Sequence, residues 1–324
     1  MTAPGYEPVE VLVHDPLMRP VTAKYAISAD HATAVLEMSA ASGITLVAPE
    51  ERNPLKTSTY GVGEMIKDGI LRGCRHFIVG IGGSATNDGG VGMLTALGFE
   101  FLDQKGEPIA PGAQGLADLC SISRENVLRE LSECSFSVAC DVNNPLCGER
   151  GASAVYGPQK GATAQMTQNM DEWLLRYAQL AGQYDPAADM DYPGAGAAGG
   201  LGFAFRTFTN AVLRPGVEIV LNEINLEAAI AEADIVVTGE GRLDRQSVMG
   251  KAPVGVAKLA KKYGKKVIAF CGCVTEDAEV CNEHGIDAYF PIVRGTCTLE
   301  DAMNLENAYR NLASTAYQVF RLLV

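Results

Sequence analysis

The stretch HFIVGIGGSATNDGGVGMLTALGFEF, His76–Phe101, passes from a run of β-forming residues through a glycine-rich turn into an amphipathic segment and a second apolar run. A strand that feeds a helix through a short turn is the repeating unit of a parallel α/β sheet. Open sheets of that kind place their ligands just beyond the carboxyl ends of the strands, where this turn falls. Its glycines permit close backbone approach, Ser84 and Thr86 offer hydroxyl donors, and Asp88 is suited to a cation or a substrate hydroxyl. The same residues have a plainer reading, in which Asn87 and Asp88 cap the helix that begins GGVGML.

The same grammar extends outward. GVGEMIKDGILRG precedes HFIVGIGG as a helix would, so residues 44–98 read as one set of units. Towards the C-terminus, DIVVTG, KKVIAFCG and DAYFPI are continuously apolar runs suited to strands buried on both faces. APVGVAKLAKKYG and TEDAEVCNEHG lie between them, each ending in the glycine of a helix C-cap. The middle differs: FEFLDQKGEPI reads as a hairpin turning at Lys105 and Gly106, and a helix is expected from Gln165 to Tyr184. VEVLVHDPLMRPVTAKYAI and ATAVLEMS read as further strands. The expected fold is therefore α/β, a Rossmann-like parallel sheet domain with a second, inserted α/β domain. Residues 43–98 and 228–324 are assigned to the first, and 1–42 and 99–227 to the second. Leu299 to Leu323 carries apolar residues at three- and four-residue steps, read as a C-terminal helix packed on the sheet in preference to a coiled-coil seam.

Composition narrows the function. A chain of 324 residues with 47% hydrophobic residues can build sizeable cores. Its net charge of −13 disfavours nucleic acid and anionic membranes as partners. No segment has the ~18 consecutive apolar residues of a membrane span, and the N-terminus lacks a signal-peptide pattern, so the expected location is cytoplasmic. Nine scattered cysteines do not form a disulfide framework, and Cys271 and Cys273 are spaced too closely for a zinc site. The four histidines, His14, His31, His76 and His284, form no ligand-spaced cluster.

Several glycine-rich passages compete as binding sites. Gly80-Ile-Gly82-Gly-Ser-Ala85 imitates a dinucleotide fingerprint, with Asp103 where a ribose-binding acid would stand. Gly194-Ala-Gly196-Ala-Ala-Gly199 fits the pattern but follows Pro193 in place of a strand. GRLDRQSVMGKAP fails as a phosphate loop, since Arg245 replaces the first glycine and Ala252 the Ser/Thr, although Lys251 still opens a helix where an anion is welcome. TGEGRLD follows the strand DIVV and offers Glu240 and Asp244 as carboxylates and Arg242 as an anion clamp; its plainer reading is a surface salt-bridge cluster.

Five passages together resemble the bacterial type I glycerate kinase family: RNPLKTSTYGVGEMI, IVGIGGSATNDGGVGMLTALGFEFLD, ACDVNNPLCGERGASAVYGPQKGA, PGAGAAGGLGFAF and ADIVVTGEGRLDRQSVMGKAPVGVAKLAK. The resemblance implies ATP- and Mg2+-dependent phosphorylation of a glycerate hydroxyl. On that basis Gly82, Gly83, Ser84, Thr86 and Asn87 are assigned to glycerate or the transferred phosphoryl group, and Asp88 to a hydroxyl. Glu240 and Asp244 are assigned to Mg2+ or the acceptor, Arg242 to the glycerate carboxylate, and Lys251 and Lys160 to nucleotide phosphates. Asp141 and Asn143 follow as second-rank candidates. Family members begin earlier, with segments resembling APDSFKGS and ADGGEGT, whereas the likeness here starts at VEVLVHDPLMRPV. The 324 residues alone are therefore expected to lack the sheet domain's first strand and to phosphorylate glycerate poorly. The alternatives are a non-catalytic remnant that binds ligand or a partner, and a nicotinamide-dependent oxidoreductase, which would leave TGEGRLD and GPQKGA unexplained.

Overall fold

A computed structural model of the chain describes residues 5–186 and 188–323. Contacts divide it into two units, Met1–Arg214 and Pro215–Val324.

The first unit contains β1 (Tyr6–His14), β2 (Pro20–Ser28), β3 (Thr33–Glu37), β4 (His76–Gly80), β5 (Glu100–Leu102), β6 (Ser121–Ser123), β7 (Ser135–Ala139) and β8 (Ala211–Arg214). Six of them form one sheet in the order β1-β2-β3-β4-β7-β8. The β1–β2 and β2–β3 pairs are antiparallel, while β3, β4, β7 and β8 run parallel. Phe77 and Val79 alternate into the core from β4, and Phe77 stacks on Phe136 of β7 with ring centroids 5.0 Å apart. Such cross-strand aromatic pairs fix register, because a one-residue slip of either strand would turn its ring to the other face and part the pair.

Two helices hold the β4 unit closed. Tyr60–Leu71 and Val91–Ala96 meet through Gly63, where an added Cβ would collide with the Met93 carbonyl, and Gly92, where it would collide with Ser58 Oγ. The helix Ala164–Tyr184 buries Met170, Leu174, Tyr177 and Ala181, the apolar stripe its sequence carries, and Thr163 caps it by accepting from Met166 N at 3.3 Å.

The second unit is a parallel sheet in the order β11-β10-β9, with β9 at Ile235–Leu243, β10 at Lys266–Val274 and β11 at Ala288–Pro291. Val267, Ala269 and Cys271 of β10 join a core on one face that includes Val254 and Ala257 of the helix Ala252–Lys262. Ile268 and Phe270 face the other way, against Ala316 and Val319 of the helix Leu305–Phe320. A strand covered on both sides has no polar face to show, which is why KKVIAFCG is apolar without alternation.

Three expectations are corrected. Residues 43–98 lie in the first unit: β4 pairs with β3 and β7, so this segment belongs with 1–42 and 99–214 and not with 228–324. The turn at Lys105–Gly106 exists, but β5 takes its ladder partner from β6, and the return strand is reduced to a single bridge between Leu102 and Pro108. The C-terminal helix is two helices, Leu299–Met303 and Leu305–Phe320, because Asn304 stops the first and caps the second, accepting from Glu306 N and Asn307 N. No helix among the described residues is long and apolar enough to cross a membrane.

Candidate functional site

The loop after β4 opens a cavity of about 320 Å³ in the first unit. Gly82, Gly83 and Ser84 form one wall, Asp141 follows β7 on another, and Tyr156 and Lys160 come from the segment beyond it. The cavity thus sits at the carboxyl ends of two adjacent parallel strands. A Cβ added at Gly82 would meet nothing within 4 Å, so no protein neighbour requires glycine there. The bare backbone leaves room for a ligand to approach. Across from it, Ala198 lines the cavity with φ 53°, the first of three left-handed residues with Gly199 and Gly200 at the start of the helix Ala197–Phe208. A left-handed alanine costs roughly 1–2 kcal/mol, and strain of this kind gathers at functional sites.

Lys160 is 2% exposed, and its Nζ donates to Ser84 Oγ at 2.8 Å and to Thr86 O at 2.6 Å. Burial pushes its pKa down to about 7, with the charge of Asp88 working in the opposite direction. The ammonium expected at nucleotide phosphates is therefore spent inside the fold, on the loop itself.

Thr86, Asn87 and Asp88 lie behind the cavity, fully buried. Asp88 accepts from Thr59 N at 2.8 Å, Thr59 Oγ1 at 2.9 Å, and Gly90 N and Gly92 N at 3.2 Å each. The catalytic role expected of it is corrected: a carboxylate held by four donors and closed to solvent cannot meet a substrate hydroxyl. The plainer reading is met only in part, since Asp88 accepts from Gly92 N in the first turn, while the N-cap position is Gly90 and Asn87 turns elsewhere. Asn87 donates to Ser153 Oγ at 2.9 Å, so it ties the loop to the segment that follows β7. Asn143 is exposed and stands outside the cavity lining.

Sequence reasoning missed what holds the loop. Thr57 Oγ1 donates to Ala85 O at 2.9 Å, Ser42 Oγ to Ser58 O at 3.1 Å, and Thr59 Oγ1 accepts from Met93 N at 2.9 Å. Three consecutive hydroxyl residues before a helix, Thr57–Thr59, were the available signal. Tyr156 and Ala198 were missed as well, since their place on the cavity depends on chain crossings that spacing does not encode.

In the second unit, β9 presents Glu240 and Arg242 and runs into Asp244, which caps the turn Arg245–Val248 by accepting from Gln246 N at 2.9 Å. Lys251 Nζ lies 3.6 Å from Glu240 and 3.4 Å from Asp244, and Arg242 Nε lies 3.3 Å from Asp244. Ser247, also missed, donates to Glu240 and accepts from Asp244 N at 3.2 Å. The side chains of Glu240 and Asp244 are only 18% and 15% exposed, so the cluster is more sheltered than a surface ion-pair patch. Two sheltered carboxylates already holding a cation between them suit Mg2+, which takes one or two protein carboxylates and completes its shell with water and phosphate oxygens. Among the described residues no group of three or more metal-ligating side chains forms, so a transition-metal cage has no donor set. Asp103, the candidate ribose acid, is a half-buried turn residue whose carboxylate accepts from Lys105 N at 2.8 Å and Glu107 N at 2.9 Å. It serves its own turn, which removes the dinucleotide reading.

A mixed sheet with four parallel strands in one unit and a parallel sheet in the other, each with helices packed on it, define an α/β protein. The chain belongs to the glycerate kinase family, whose sequence model matches residues 1–324. It is 48% identical to the glycerate kinase of Haemophilus influenzae over 315 residues, 97% of this chain and 83% of that one. It is 46% identical to the glycerate 2-kinase of Escherichia coli over 308 residues, 94% and 81% of the two chains. The fold is similar to the crystal structure of a putative glycerate kinase 2 from Salmonella typhimurium, with a TM-score of 0.85 and 46% identity over 98% of this chain and 84% of that one.

Proposed function

We propose that the protein phosphorylates a hydroxyl of glycerate at the expense of Mg-ATP, and that the first unit's cavity holds glycerate by its carboxylate. The observation that carries this reading is Gly82 in the Gly82–Ser84 wall, bare backbone that no neighbour requires, beside the Ser84 hydroxyl at the strand ends. Glu240 and Asp244 would hold Mg2+, which when bound neutralises phosphate oxygens. Lys251, at the N-terminus of the helix Ala252–Lys262, is placed to receive nucleotide phosphates. Arg242 shares Asp244 with Lys251, so we assign it to phosphate charge in place of the glycerate carboxylate. Phosphoryl transfer needs alignment and charge neutralisation more than covalent help from the protein. The hydroxyl oxygen bonds to the γ-phosphorus as the bond to the β–γ bridging oxygen breaks, and the hydroxyl proton is released.

A coupled assay of ADP release tests the proposal. Turnover is expected only with glycerate, ATP and Mg2+ together, and Asp244→Asn should lower kcat at least tenfold. ADP release indifferent to glycerate would refute the reading.

A further inference from the structure

Lysine nitrogen carries donors and no acceptor when protonated. In the contact between Lys160 Nζ and Ser84 Oγ, the serine oxygen therefore accepts, and its own proton must point elsewhere. Ser84 makes no other side-chain hydrogen bond among the described residues, and it lines the cavity. We infer that Lys160 is a positioning residue which makes Ser84 an obligatory hydrogen-bond donor to an anionic oxygen in the cavity, so that binding of that anion and protonation of Lys160 favour each other.

This inference rests on the reading that glycerate occupies the cavity by its carboxylate. It goes further by giving the ammonium a task exerted through Ser84, on the lining of the same cavity. Lys160 reaches Ser84 from the turn Pro158–Lys160, and Gly161 behind it packs on the backbone of Arg52. Asp88, on the loop after β4, is the charged group whose field acts on the lysine. Asp141 and Tyr156 stand on the cavity wall beside it. A neutral amine leaves the serine a choice, because its lone pair accepts the Ser84 proton and competes with the ligand. The charged form removes that choice and adds attraction for the anion. An ammonium half-lost near neutrality supplies the coupling: a carboxylate arriving above pH 7 would draw a proton onto Lys160. By the same linkage, protonating Lys160 tightens carboxylate binding.

Calorimetric titration of the full chain with glycerate, in two buffers of different protonation enthalpy, reads the coupling directly. Glycerate itself stays ionised from pH 6 to 8, so any proton exchanged belongs to the protein. At pH 8 binding should take up a substantial fraction of a proton from the buffer, and at pH 6 close to none. Lys160→Met should abolish the uptake. Ser84→Ala, which leaves the lysine in place and is the safer variant to fold, should weaken glycerate binding roughly tenfold and reduce the uptake. Buffer-independent heats at pH 8, or wild-type affinity in Ser84→Ala, would overturn the inference. Glycerate binding without proton uptake defeats the inference alone, whereas absence of glycerate binding in every buffer defeats the proposed function with it.

Discussion

Asp88 and Lys160 are both closed to solvent, and burial disfavours the charged form of each, raising the Asp88 pKa against the donors that lower it and lowering that of Lys160; they differ in how many donors depend on them. Asp88→Ala would leave the Thr59, Gly90 and Gly92 N–H groups buried without acceptors, at about 1–3 kcal/mol each. A loss of at least ~3 kcal/mol in urea unfolding is expected. Lys160 runs the other way. Its pKa falls from the usual 10.5 to about 7 on folding, so between those values the unfolded chain binds more protons than the folded one. Its contribution to stability therefore rises with pH across that window, with a slope of at most about 1.4 kcal/mol per pH unit, and is lost as pH falls through 7. The difference between wild type and Lys160→Met in urea midpoints from pH 7 to 9 isolates that slope; parallel curves would exclude it. Gly82→Ala offers the contrast of a substitution that meets no neighbour. It should leave stability within about 0.5 kcal/mol while raising the KM for glycerate several-fold. The sequence made Ser84 and Asp88 look alike as loop donors and acceptors. Only the path of the chain around Thr59 separates the residue on the cavity from the one behind it.

At the level of elements, the legible features were those written locally. β10, β11 and the start of β9 appear as apolar runs, and the helix Ala164–Tyr184 as a 3.6-residue stripe. Which strands share a sheet was not legible, because β4 and β7 are chosen as partners by contacts such as Phe77 on Phe136, between residues far apart in the chain. The glycine pattern of GVGEMI was legible as helix but not as contact. Gly63 now shows why both matter. Alanine is intrinsically better in a helix by about 1 kcal/mol, but here its Cβ would strike the Met93 carbonyl, which belongs to backbone and cannot swing aside. Overpacking of about 1–3 kcal/mol should prevail, so Gly63→Ala is expected to lower the Tm by a few degrees in a thermal melt. A raised Tm would mean that the two helices separate readily.

For the whole molecule, each hydrophobic cluster lies within a single unit: one spans Val9 to Leu213, and the other two fall between Leu226 and Val319. A fragment of residues 1–214 carries its six-stranded sheet complete, β8 at Ala211–Arg214 included, and should unfold cooperatively in urea as one species. A broad, non-cooperative transition would show that the large core needs the rest of the chain. The order of those cores along the chain also has a meaning during synthesis. Much of Pro215–Val324 is still to be made when β8 leaves the ribosome, and at about 5–20 residues per second the whole unit takes roughly 5–20 s. Small domains commonly fold faster than this, so the sheet, its locked loop and the buried lysine are expected to be in place on the nascent chain while the second unit is still being translated.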